Sequence, residues 1–204
     1  MTEQPSSNNL IELDTGKPVW PHFFTVAPLI VIGTKEEKGY DLAPKHMATP
    51  LGHSNYFGFV CTPRHSTYHN VMREKVFTVS FPRPDQVVLA SLAASPRCGE
   101  DQQTKPIIQG LPTVSAPKVD ALFVKDSYLF LECELDRIVD GFEDFSLICG
   151  RIIAAYVAED SLRVSEKDEQ EMIYRSPLLA YLAHGRFAEI RETYAFPLPK
   201  GFRV

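Results

Sequence analysis

A small antiparallel β-barrel carrying short helical insertions is the fold class this sequence predicts. Three observations predict it. Short β-prone apolar runs recur along the chain, turn-forming residues sit between them, and the helical patterns are few and brief. With 204 residues and 44% hydrophobic content, the chain fits one domain and can bury a real core without staples.

Taken in order, residues 1–19 are polar and Pro-containing and read as an N-terminal arm ahead of a domain over 20–204. The first fourteen, MTEQPSSNNLIELD, have neither a basic nor an apolar region, so no secretory signal is expected. Ala27–Thr34 (APLIVIGT) is the first strand, closed by the charged turn KEEKGYD. A polar-basic loop over Asp41–Ser54 leads to a second strand, Tyr56–Cys61. A basic-hydroxyl turn, Cys61–Thr67, then runs into a helix over Ser66–Lys75. Tyr68, Val71 and Met72 give that helix its apolar face, and Ser66 or Thr67 is placed as N-cap. Val76–Phe81 is the next strand.

Asp85–Ser95 reads as a helix capped by Asp85, and residues 96–116 as a long loop. Ala121–Val124, Tyr128–Leu135 and Leu147–Ala158 read as strands, with a tight hairpin turn at Asp126-Ser127 and a bulge at Gly150. Ser165–Glu171 opens a helix with an acidic first turn. After Pro177, SPLLAYLAHGRFAEI reads as an apolar helix ending in a His-Gly-Arg turn, with Gly185 suited to the left-handed C′ position.

Bulk chemistry narrows the function. A net charge of −5 argues against nucleic acid or an anionic membrane as the main partner, so any basic function is a local patch on an acidic body. Cys61, Cys98, Cys133 and Cys149 are widely separated with no C-x-x-C, which fits free thiols in a reducing cytoplasm. No apolar run approaches the ~18–20 residues that span a bilayer. Absent too are a G-x-G-x-x-G after a strand, a Walker A, a G-x-S-x-G and a paired-carboxylate signature.

Two segments carry ligand-binding chemistry. The turn Cys61–Thr67 supplies Thr62, Arg64, Ser66 and Thr67 where the first helical N–H groups point outward, an arrangement that favours phosphate. An ordinary capped helix with a surface arginine accounts for the same residues. The loop around Ala43, Pro44, Lys45, His46, Met47, Ala48 and Thr49 mixes small residues with donors, and suits either a flat ligand or solvent. His65 and His69 stand four apart, but no acidic residue is interleaved and no third ligand is evident, so no metal is expected. The acidic run Glu166–Glu171 reads as a solvated helix start.

The order of these pieces resembles the flavin reductase-like family, the FMN-binding split barrel proteins. The resemblance runs over about residues 20–190 and is carried by APLIVIGT, DLAPKHMATPLG, YFGFVC leading into TPRHSTYHNVMREKVFTVSF, and AHGRF. The family shows a loop like N-x-A-P-x-S, a basic Thr-containing turn, a strand ending in V-x-N and a late His/Gly-rich turn. This chain has Asp41 where Asn is common, Lys45-His46-Met47 in place of a more aromatic-hydroxyl stretch, and Ser80 where Asn is frequent.

The resemblance implies a homodimeric, six-stranded antiparallel barrel of Greek-key type with FMN near the subunit interface. By position, Ala43 to Thr49 would lie along the flavin ring and ribityl chain. Cys61, Thr62, Arg64, Ser66 and Thr67 would hold the phosphate, and His184 with Arg186 would close the site. The implied activity is cytoplasmic transfer of hydride or electrons from NAD(P)H through FMN, with the nicotinamide docking transiently under the 96–116 loop. No side chain need then act as acid, base or nucleophile. The alternatives are an FMN carrier or electron-transfer protein without NAD(P)H activity, and a flavin-free split-barrel binding module.

Overall fold

The structure is a computed structural model that describes residues 10–98, 105–164, 166–183 and 185–201. Its strands are antiparallel and its helices short. The apolar run expected as one strand is two: β1 (Val26–Pro28) and β2 (Ile30–Lys35) join different sheets. Pro28 ends the first, since a ring without an N–H cannot continue a ladder. The expected loop over Asp41–Ser54 is largely extended, giving β3 (Tyr40–Lys45) and β4 (Ala48–Pro50) before β5 (Tyr56–Cys61). Helix α1 (Ser66–Glu74) and strand β6 (Val76–Phe81) follow.

His65, rather than Ser66 or Thr67, is the N-cap residue of α1, and no side chain caps it. Lys75 closes the helix in the left-handed region at φ 61°. The helix expected from Asp85 begins instead at α2 (Val87–Leu92), after a single 3-10 turn over Pro84–Gln86. Of the stretch expected as a loop over 96–116, residues 99–104 lie outside the described residues, and the rest carries α3 (Ile107–Gly110) and β7 (Thr113–Ser115). Strand β8 (Leu122–Val124) pairs with β7, so the Asp126-Ser127 turn redirects the chain but does not join paired strands. The two longest strands, β9 (Leu129–Phe142) and β10 (Phe145–Val157), form one hairpin. Its register shifts between Cys149 and Gly150, at the expected bulge. There a Cβ on Gly150 would meet the Phe77 ring at 2.4 Å.

The helix expected to open at Ser165–Glu171 is α4 (Glu169–Arg175), capped by Asp168, whose side chain accepts from the Glu171 N–H at 2.8 Å; Ser165 lies outside the described residues. The segment expected as a late apolar helix is the strand β11 (Leu178–Leu182), which turns into β12 (Arg186–Ile190). A five-residue apolar run is too short to be told apart by periodicity alone, and pairing with β1 decides it. No helix among the described residues is long and apolar enough to cross a membrane.

The main sheet runs β3-β2-β6-β9-β10-β5-β4, with β1-β11-β12 as a second sheet. Six of the seven strands have six residues or more, and β4 adds three on the edge. β3 and β4 sit at opposite edges, yet only His46 and Met47 separate them. A flat sheet would hold those edges about 29 Å apart, while this connection reaches at most ~11 Å. The sheet must therefore curl until its edges meet.

Inside the curl lie Ile30, Ile32, Phe57, Phe59, Phe77, Val79 and Ile148. On the outside, Val31 and Leu42 pack with Ala90, Ala93 and Ile108 under α2 and α3. Both faces of β2 are thus buried, which explains why its sequence is continuously apolar rather than alternating.

Candidate functional site

A cleft of about 310 Å³ opens where β3 ends, between the N-terminus of α1 and the Ala93–Arg97 turn after α2. Strand alternation gives Asp41, Ala43 and Lys45 a common face of β3, and all three line the cleft with Pro44. Arg64, His65, Ser66 and Thr67 form the facing wall. At this end α1 presents N–H groups that lack an intrahelical acceptor and carry the positive end of the helix dipole.

The lining holds four cationic side chains, Lys45, Arg64, Arg97 and Lys105, against the single carboxylate of Asp41. That carboxylate is already matched. It is buried and pairs with Lys105 at 3.1 Å and with Arg97 at 3.4 Å. Lys105 also donates to the Leu42 carbonyl at 2.8 Å, and Arg97 bonds Glu36. Arg64 is exposed and paired with Asp144 of the β9–β10 turn. Lys45 has no carboxylate partner among the described residues; its Nζ lies 3.5 Å from His65 Nδ1. His65 is exposed, yet the partial desolvation of its ring against the cleft, then the charge of Lys45, pulls the imidazole below its ordinary pKa. The arrangement is a concave surface with unbalanced positive charge, fit for an anion.

Of the residues named from sequence, Ala43, Pro44, Lys45, Arg64, Ser66 and Thr67 meet in this cleft. The others are placed elsewhere. His46 stacks on Tyr181, with centroids 4.5 Å apart, and the Tyr181 hydroxyl accepts from the Gly185 N–H at 2.9 Å. These contacts tie the β11–β12 turn to the β3–β4 connection. Met47 and Thr49 are exposed, and Ala48 packs against the interior cluster. The Cys61 side chain is part of the core, where burial pushes its thiol pKa up. Thr62 is buried, and its hydroxyl accepts from the Arg64 N–H at 3.3 Å. Arg186 is exposed at the start of β12, and His184 lies outside the described residues.

Sequence reasoning gave the cleft no role for His65, Arg97 or Lys105. Lys105 closes a polar stretch with no periodicity to place it, and its approach to Asp41 is purely tertiary. The signal that could have found it is Asp41 itself, a carboxylate between apolar neighbours that needs a cation.

A second cleft of about 360 Å³ lies across Arg64, beside the β9–β10 turn. Asp140, Glu143 and Asp144 make it acidic, so it does not suit the same ligand despite its larger volume.

Comparison with known proteins agrees with this architecture. Residues 24–189 match the family profile of the Flavin reductase like domain. No curated protein matches the chain in sequence. Among solved structures, the chain is similar to nitrilotriacetate monooxygenase component B from Bacillus cereus. The TM-score is 0.76 at 16% identity, over 93% of this chain and 100% of that one. It is similar to flavoredoxin from Methanosarcina acetivorans, with a TM-score of 0.73 and 16% identity over 94% and 97% of the two chains. It is also similar to an FMN-binding protein from Thermus thermophilus, with a TM-score of 0.70 and 19% identity over 96% and 99%. At these identities the likeness is one of fold.

Proposed function

From the premise that the chain belongs to the flavin reductase-like family, we propose that it is an FMN-binding oxidoreductase moving hydride or electrons from NAD(P)H to a flavin or other acceptor. The observation that carries the reading is the unbalanced cationic cleft at the N-terminus of α1. Its donor set fits a phosphate monoester, which presents strong acceptor oxygens and nearly two negative charges. Arg64, Ser66, Thr67 and the first N–H groups of α1 would hold that phosphate. Ala43 and Pro44 offer a small-residue strand end against which a flat ring can lie.

Bound FMN would supply the redox chemistry, and the protein would orient it and set the charge around it. Lys45, 3.5 Å from His65 at the N-terminus of α1, adds positive charge to the phosphate end of the cleft. Asp41 holds Lys105 and Arg97 in place from beneath. The Tyr181–His46 stack fixes the connection that follows Lys45. None of these groups is required to take a proton from substrate.

The same reading makes the protein a homodimer. Val139, Phe142 and Phe145 are exposed at the turn end of the β9–β10 hairpin, an apolar surface suited to a second copy.

The purified protein is expected to be yellow, or to turn yellow and retain FMN on reconstitution. Under anaerobic conditions NADH or NADPH should bleach it. Binding without bleaching would make it a carrier, and absence of FMN binding would defeat the flavin reading altogether.

A further inference from the structure

We propose that His65 is itself a ligand-binding residue: with Lys45 it forms a paired basic wall that takes up one proton when a phosphate monoester docks in the cleft. The inference rests on the flavin reading for its natural ligand, and its chemistry concerns only the phosphate end.

The geometry sets the argument. Lys45 Nζ and His65 Nδ1 lie 3.5 Å apart, so the neutral ring can accept from the ammonium only while Nδ1 carries no proton. Among the described residues, His65 faces Lys45, repelling, and Asp41, attracting, from β3. From its own turn comes Arg64, and from the segment before α3 comes Lys105, both repelling. Asp41 is matched by Lys105 and Arg97, and Asp144 of the β9–β10 turn pairs with Arg64, so Lys45 is the cation left with no carboxylate to offset it. An empty cleft therefore keeps His65 neutral at physiological pH.

A dianion reverses that balance. It neutralises the field of Lys45, Arg64 and Lys105 and adds attraction of its own at the ring. Protonated His65 then donates to it rather than accepting from Lys45. Whatever favours the proton in the bound state favours binding in the protonated state, so affinity gains as pH falls below the ordinary histidine range. Each unit by which docking raises the His65 pKa corresponds to about tenfold in affinity once pH lies below both values.

The test compares FMN binding to wild type and His65→Gln between pH 5.5 and 8, followed by flavin fluorescence. Riboflavin serves as the phosphate-free control. Glutamine keeps a neutral acceptor for Lys45 but cannot take the proton. Because the phosphate ester itself titrates near pH 6, the quantity read is the variant-to-wild-type ratio of Kd. That ratio should stay near one at pH 8 and rise by about three- to tenfold at pH 5.5. For riboflavin it should stay flat. A ratio for FMN that does not change with pH overturns the proposal while leaving the flavin reading intact.

A second measurement needs neither flavin nor a variant. The His65 ring resonances of the wild-type protein are titrated in inorganic phosphate and in chloride at equal ionic strength. A His65 pKa at least half a unit higher in phosphate supports the proposal even if FMN fails to bind. Equal values in the two salts defeat it.

Discussion

At the scale of single residues, the cleft is a set of cations with one carboxylate among them, and its affinity depends on what each cation is doing before a ligand arrives. Arg64 is engaged by Asp144, so a phosphate must compete for it. Replacing Asp144 by Asn should tighten FMN binding by about two- to fivefold, the range an exposed ion pair is worth. Equilibrium titration checks this. Replacing Arg64 and Thr67 together by Ala should weaken FMN about 10- to 100-fold, as two phosphate contacts are removed. Riboflavin affinity should barely move, and unchanged FMN affinity in that double variant would refute the phosphate assignment. The residues at this scale divide by legibility. Arg64, Ser66 and Thr67 were readable because they cluster at a helix start with an amphipathic signature behind it. Lys105 was not, because nothing local marks a lysine that meets an aspartate 64 positions earlier.

At the scale of elements, tight crossings and short bridges hold the sheets in register. The Thr78 hydroxyl donates to the Leu122 carbonyl at 2.6 Å, locking β8 across β2 and β6. Gly33 permits that crossing, since a Cβ there would stand 2.1 Å from the same carbonyl oxygen. Gly33→Ala should cost about 1–3 kcal/mol by overpacking, read as a lowered Tm.

Asp160 joins the turn after β10 to the start of α2 and the end of α4. It accepts from Arg83 at 2.8 Å and from the Ser176 hydroxyl at 2.7 Å. These bonds, Arg83 first, hold its carboxyl down to about 2, against 3.8 ordinarily. A depressed carboxylate pKa gives stability that is present above the unfolded value and lost as pH falls toward the folded one. Asp160→Asn should therefore lower Tm at pH 7 by about 2–4 °C, the effect of roughly 1 kcal/mol at a half-exposed group. That difference should shrink below pH 4 and fall to a small remainder as pH drops through the folded value of about 2. A difference unchanged between pH 7 and pH 2 would place the effect outside titration.

Element type was legible where the pattern was distinctive, as in β6 and α1, and in the first half of β9, whose expected end at Leu135 falls seven residues short of Phe142. It failed for β11, where five apolar residues fit either period, and for β3 and β4. Asp41, Pro44, Lys45 and Pro50 look like loop residues there, but lie in strands at the sheet's edges.

At the scale of the whole molecule, fold class and family order were legible because the sequence of strand, turn, helix and strand survives even where single residues change. How the strands pair was not. β8 lies next to β9 in sequence but pairs with β7, and β1 finds β11 about 150 positions away. The proposed dimer is checked by light scattering, which should give twice the 23.0 kDa of one chain. Phe142→Asp combined with Phe145→Asp should shift that mass toward the monomer.

The two residues between β3 and β4 carry one more implication. In most barrels the closing seam is only hydrogen-bonded, and an edge can fray on its own. Here the seam is spanned by the chain itself through His46 and Met47, so neither edge can drift without pulling the other. The length of that link limits how far the joined ends of β3 and β4 can separate. Two glycines inserted between His46 and Met47 would loosen that restraint and speed amide exchange along both β3 and β4. The same insertion between Glu37 and Lys38, in an ordinary hairpin turn, should leave exchange in β4 untouched.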